Sequence, residues 1–102
     1  MGGWTKRDVN SDSIKEWANK AVTKFNQQNN DMHQHVVTNI VSAHSQVVAG
    51  AKYKLRVEFG RTNCKKGDVC GDNEPVESKK NYEIDIFSQP WTNTEEITFK
   101  EI

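Results

Sequence analysis

One helical stripe in an otherwise extended chain limits the fold more than any other feature. Ile14, Trp17, Ala18, Ala21, Val22 and Phe25 recur at i, i+3, i+4, i+7, i+8 and i+11, which is one face of an α-helix. Ser13 followed three residues later by Glu16 fits a capping box at its start. Asn29-Asn30-Asp31 marks its end, because short polar side chains compete for backbone hydrogen bonds. The result is a helix of about four turns with one apolar face. Such a face has to be covered, and the rest of the chain reads as the sheet that covers it.

The run from Val36 to Val48 is rich in β-branched residues with imperfect alternation. From Lys52 to Phe59 the alternation is clean, with Tyr53, Leu55, Val57 and Phe59 on one face and Lys52, Lys54, Arg56 and Glu58 on the other. Gly60 is expected to end that strand, and Arg61 to Lys80 to form a long polar connection. A further strand runs through Tyr82, Ile84 and Ile86. After the turn Ser88-Gln89-Pro90-Trp91-Thr92-Asn93, a last strand carries Ile97 and Phe99. One helix followed by an antiparallel meander makes a single α+β domain over residues 1–102, with four to five strands.

Composition narrows the functions open to such a domain. Fourteen Lys and Arg balance fourteen Asp and Glu, whereas a general nucleic-acid binder needs a basic excess. No apolar run is long enough to cross a bilayer, and no basic-then-apolar leader is visible. Low hydrophobicity (34%) raises the question of disorder, but three Trp, four Phe and two Tyr argue for a folded core. Met1 before Gly2-Gly3 has the look of a start placed on a mature chain. No Asn-x-Ser/Thr acceptor occurs.

The two cysteines, Cys64 and Cys70, suit a small staple closing a loop; the alternative is a pair of free thiols in a cytosolic protein. Neither has an identifiable base beside it, so a thiol-enzyme reading has little to stand on. His33 and His35 would share a face if extended, but a third ligand for a metal is not evident, and His33, His35 and His44 read as solvent-exposed. No cofactor is called for.

The connections carry the functional signal. In a meander the first and third turns emerge at one end and the second at the other. The first is Gln46-Val47-Val48-Ala49-Gly50, and the third contains Pro90-Trp91. Hairpin tips are normally Asn, Gly, Asp or Ser, so a Val-Val-Ala tip is out of place unless something covers it. The valines could instead belong to the strands, and Trp91 could fold back on the core. Two apolar turns on one rim nevertheless form a patch of the kind that marks a partner site, and Trp is enriched among residues that dominate binding energy. Gly2 and Gly3 let the N-terminal backbone approach a partner closely.

These residues resemble the cystatins, reversible inhibitors of papain-like cysteine proteases. Gln46-Val47-Val48-Ala49-Gly50 matches the family's Q-x-V-x-G first hairpin loop, Pro90-Trp91 its second loop, and Gly2 or Gly3 the glycine of its N-terminal segment. The resemblance covers essentially the whole chain. It implies the cystatin fold, a long helix wrapped by an antiparallel sheet, and an inhibitor that plugs the protease cleft with its N-terminal segment and both hairpins. It implies no enzymatic activity of its own. It also implies a secreted protein, with Cys64 and Cys70 forming the first of the two disulfides usual in secreted members. Tyr82 and Ile102 stand where the second is expected and could fill its place with apolar bulk, which points towards invertebrate or divergent members. The apolar residues that usually precede the glycine are missing here, which implies weaker affinity.

Asn29-Asn30-Asp31 is similar to a Ser-Asn-Asp segment through which some cystatins inhibit legumain, with Asn30 taking the specificity pocket. The rival reading is a cystatin-fold immunomodulatory protein acting through other surfaces. A monomer is expected, with the short apolar hairpin tip as a hinge for a domain-swapped dimer.

Overall fold

The computed structural model describes residues 3–71 and 74–102. The chain forms β1 (Thr5–Lys6), α1 (Asp12–Gln28), β2 (His33–Val48), β3 (Gly50–Lys65), β4 (Val76–Gln89), a 3-10 turn (Pro90–Thr92) and β5 (Thr94–Glu101). The strands lie in the order β1-β2-β3-β4-β5, each antiparallel to its neighbours, with the helix against one face.

The helical stripe is the face that packs. Ile14, Ala18 and Ala21 are fully buried with Leu55, Val57 and Phe59 of β3, Ile84 and Ile86 of β4, Ala43 of β2 and Ile97 of β5. Two alanines on the buried face let the helix axis approach the sheet closely. At its C-terminal end Phe25 inserts its ring among Tyr82, Phe59 and Phe99, with centroids 5.0, 5.1 and 5.4 Å away. At the other end Trp17 lies 5.3 Å from Tyr53.

The helix begins differently from the expected capping box. Ser11 is the N-cap residue, without a side-chain cap bond, and Ser13 already sits inside the first turn. The chain enters through a turn instead: Ser11 N–H donates to the Asp8 carbonyl (3.1 Å), and Asn10 N–H to the Asp8 carboxylate (2.9 Å). Asp12 in the first turn then suits the positive end of the helix dipole. The C-terminal stop falls as the polar triplet suggests, with Asn29 as the C-cap and its N–H on the Phe25 carbonyl.

Two strands run further than their apolar pattern. β3 passes through Gly60 to Lys65, and β4 begins at Val76, so the connection between them covers residues 66–75 only. Gly60 is covered rather than terminal: a Cβ there would lie 2.7 Å from side-chain carbons of both Thr38 and Val76. The short edge strand β1 has no pattern in the sequence. The imperfect alternation of β2 has a cause in its pairing, which shifts register between His33 and His35, Val37 and Asn39, and Ile40 and Ser42.

Cys64 and Cys70 are joined in a disulfide that closes the loop after β3. Tyr82 turns inward onto Phe25 and Phe59, whereas Ile102 is half exposed, its N–H held by the Asn81 carbonyl (3.0 Å). The three histidines are not the exposed residues expected. All are at least partly buried, and the His35 side chain is only 12% exposed, set edge-on to Phe25.

Candidate functional site

The pairing register brings the two unusual turns together. Val47 of β2, Ala51 of β3 and Ser88 of β4 stand in one row across the sheet, so the hairpins leave neighbouring strands at the same end. β1 runs antiparallel to β2 with Thr5 opposite Ser45. The chain before Thr5 therefore heads towards that same end, with Gly3 exposed. Gly2 lies outside the described residues. The cysteine loop and the residues after the helix are at the opposite ends of β2 and β3.

The first hairpin is tight. Val48 pairs with Gly50, leaving Ala49 at the tip. Val47 and Val48 do belong to the strand, yet their side chains are 78% and 37% exposed. Gly50 has φ +112°, and a Cβ there would lie 2.5 Å from the Ser88 carbonyl oxygen. Only glycine lets the first hairpin settle against the base of the second.

The second hairpin turns through the 3-10 segment, where Pro90 has the fixed φ that suits an initial position. Asn93 closes it in the left-handed region (φ 56°), with its N–H on the Pro90 carbonyl (3.0 Å). Trp91 is held outside the core with 69% of its surface exposed. Between the helix and the two turns lies a hollow of about 440 Å³ whose walls include Trp17, Val48, Tyr53, Pro90 and Trp91.

Electrostatically the rim is plain. Residues 46–50 and 90–93 carry no charge. The Lys20–Glu95 ion pair at 2.7 Å ties the helix to the start of β5, which follows the Trp91 turn, and Lys20 also lies 5.0 Å from the centre of the Trp17 ring. An uncharged, apolar projection is suited to filling a groove rather than to acid–base or redox chemistry. Among the described residues no three His, Cys, Asp or Glu side chains gather as a metal site would need, and no cysteine is free.

The Asn29-Asn30-Asp31 segment is braced from below. Arg61 donates to Asp31 (2.7 Å) and to Glu77. The bond from Arg61 is the largest influence holding the Asp31 carboxyl well below the usual carboxylate range, and the His33 N–H adds to it. Asn29 Oδ1 accepts from Asp31 N–H (2.8 Å) and Lys66 Nζ (2.9 Å), while Asn30 itself is exposed.

Three features of the rim escaped the sequence reading: Gln89, the Trp17–Tyr53 floor, and the Lys20–Glu95 tie. Trp17 was legible only as a core residue, and the other two depend on partners 40 and 75 positions away.

The family model of the cystatin domain matches residues 2–100. The chain belongs to the cystatin family. It is 37% identical over 100 residues to cystatin-C of Bos taurus, covering 92% of this chain and 68% of that protein. With onchocystatin of Onchocerca volvulus it shares 32% over 103 residues, covering 91% of this chain and 61% of the relative. The chain thus spans roughly two thirds of the curated relatives it matches. The crystal structure of Al-CPI superimposes with a TM-score of 0.86 at 34% identity, covering 99% of this chain and all of that one. The likeness therefore takes in mammalian and invertebrate cystatins alike. Cystatins are protease inhibitors rather than enzymes, and papain-like cysteine proteases are what the family binds.

Proposed function

We propose that this cystatin inhibits papain-like cysteine proteases of the cathepsin L, B and S type by filling the catalytic cleft with Gly2-Gly3, the Gln46–Gly50 hairpin and the Pro90-Trp91 turn. The observation that carries the reading is the meeting of Gly3, the valine-tipped hairpin and the Trp91 turn, all uncharged, at one end of the sheet, with Val47 and Trp91 exposed. A folded domain gains by burying such side chains, at roughly 25 cal/mol per Å², so leaving Val47 and Trp91 outside makes sense when a partner buries them. Blocking needs no nucleophile. A strand-bound hairpin presents its backbone already committed to the sheet, not extended across a protease subsite for cleavage. An interface of ordinary size would bury about 800 Å² on each partner, and rigid hairpins lose little freedom on docking. The bonded Cys64–Cys70 pair suits an oxidising setting and supports an extracellular protein.

Titrating active papain tests this. One equivalent should abolish hydrolysis, and Trp91→Ala should weaken inhibition about 30-fold or more if Trp91 is an interface anchor. Full papain activity in the presence of excess wild-type protein would remove the reading.

A second reading has its own observation. Asn30 stands exposed between Asn29 and Asp31, both pinned by side-chain bonds from Lys66 and Arg61, at the end away from the papain-facing rim. A preorganised asparagine loop suits insertion into the pocket of an asparaginyl endopeptidase such as legumain. Asn30→Ala should abolish legumain inhibition while leaving papain inhibition intact. Equal legumain inhibition by the variant would reject this second site.

A further inference from the structure

We propose that Gln89 is a positioning residue, a strut that joins the two hairpins into one rigid wedge. Its Nε2 donates to the carbonyl of Ala49 at the tip of the first hairpin (2.9 Å). Its Oε1 accepts from the hydroxyl of Thr92 in the second turn (2.7 Å). The Thr92 hydroxyl is also 3.1 Å from the Gln89 carbonyl and 2.9 Å from the Thr94 hydroxyl. An amide has one donor end and one acceptor end, and here a carbonyl faces the first and a hydroxyl the second. The Ala49 carbonyl can only accept, so it selects the orientation of the side chain, and the Thr92 hydroxyl then serves the oxygen end.

The two hairpins meet at a second point, where Gly50 lies against the Ser88 carbonyl. That contact lies beside the Ala51–Ser88 pair, at the base of both hairpins. The Gln89 bridge supplies the second constraint, at the level of Ala49. Two fixed points between two hairpins set their relative angle, and that angle decides whether Val48 and Trp91 can enter one groove together. Freedom removed in the unbound protein does not have to be removed on docking.

The assignment rests on the rim being the protease-facing edge, and two measurements separate the failure of one from the failure of the other. Gln89→Met keeps the length of the side chain and removes both bonds. It should raise Ki for papain about three- to tenfold, the range expected for one net hydrogen bond. In the free protein it should increase the backbone mobility of Ala49 and Gly50 by NMR relaxation. Gln89→Glu puts a carboxylate against the Ala49 carbonyl near neutral pH and regains a donor when protonated. Its deficit against wild type should therefore shrink as pH falls from 7 towards 4.5. A role in stability alone would produce no such pH profile.

If wild type inhibits papain and Gln89→Met matches it, the strut is overturned and the rim stands. If wild type does not inhibit, the rim falls and the relaxation result decides the strut alone. Increased mobility at Ala49 and Gly50 upholds it, and unchanged mobility overturns it.

Discussion

At position 50 no side chain can be accommodated without moving backbone. The φ of +112° is unfavourable for any L-residue with a side chain, and a Cβ would lie only 2.5 Å from the Ser88 carbonyl oxygen. Gly50→Ala should cost roughly 1–3 kcal/mol of stability in urea unfolding, and should also weaken papain inhibition by pushing the hairpins apart. A variant as stable as wild type would show that the hairpins give way easily. The glycine was legible in the sequence because it sits in a motif, and Val47 and Trp91 because apolar residues in turns break the usual chemistry of turns. Gln89 was not legible. A glutamine before Pro-Trp looks like ordinary turn polarity until the register sets it beside Ala49.

Among the elements, the helix was read almost to its ends because its stripe is periodic and its stop is polar. The ends of β3 and β4 were missed for a physical reason. A ladder is held by backbone bonds, so Arg61 opposite Ser78 and Thr62 opposite Val76 extend it without any apolar alternation. Thr62 is buried because its hydroxyl donates to the Gln34 carbonyl (2.8 Å) and accepts from Cys64 N–H (3.2 Å). The disulfide sits just past this extension. Replacing Cys64 and Cys70 with Ser should cost about 2 kcal/mol by the loop-entropy estimate, read as a lower denaturation midpoint, while papain inhibition persists because the loop is at the far end. Loss of papain inhibition in a variant that remains folded would tie the two ends together.

For the whole molecule the informative variable is pH. His35 is held neutral mainly by burial, with Lys66 and Arg61 pushing the same way and Asp31, 3.9 Å off, opposing. Its pKa lies below the ordinary 6.5, so the unfolded chain takes up protons first and stability falls as pH drops below that value. Asp31 acts in the same direction at lower pH. Its depressed pKa contributes stability that is full above its ordinary 3.8 and is lost on further acidification. Through these two groups Tm should decline from about pH 6.5 downward and decline again below pH 3.8. His35→Gln should flatten the first step, whereas a Tm that rises between pH 7 and 5 would contradict the assignment.

The most direct test of a rim shaped for a protease cleft is an amide hydrogen-exchange footprint, taken with and without one equivalent of papain. Slowed exchange should fall on Gly3–Trp4, Gln46–Gly50 and Trp91–Asn93, and leave residues 64–71 unchanged. Protection confined to the outer sheet face or to the cysteine loop, with the two hairpins exchanging as freely as before, would mean that the protein meets the enzyme by another surface.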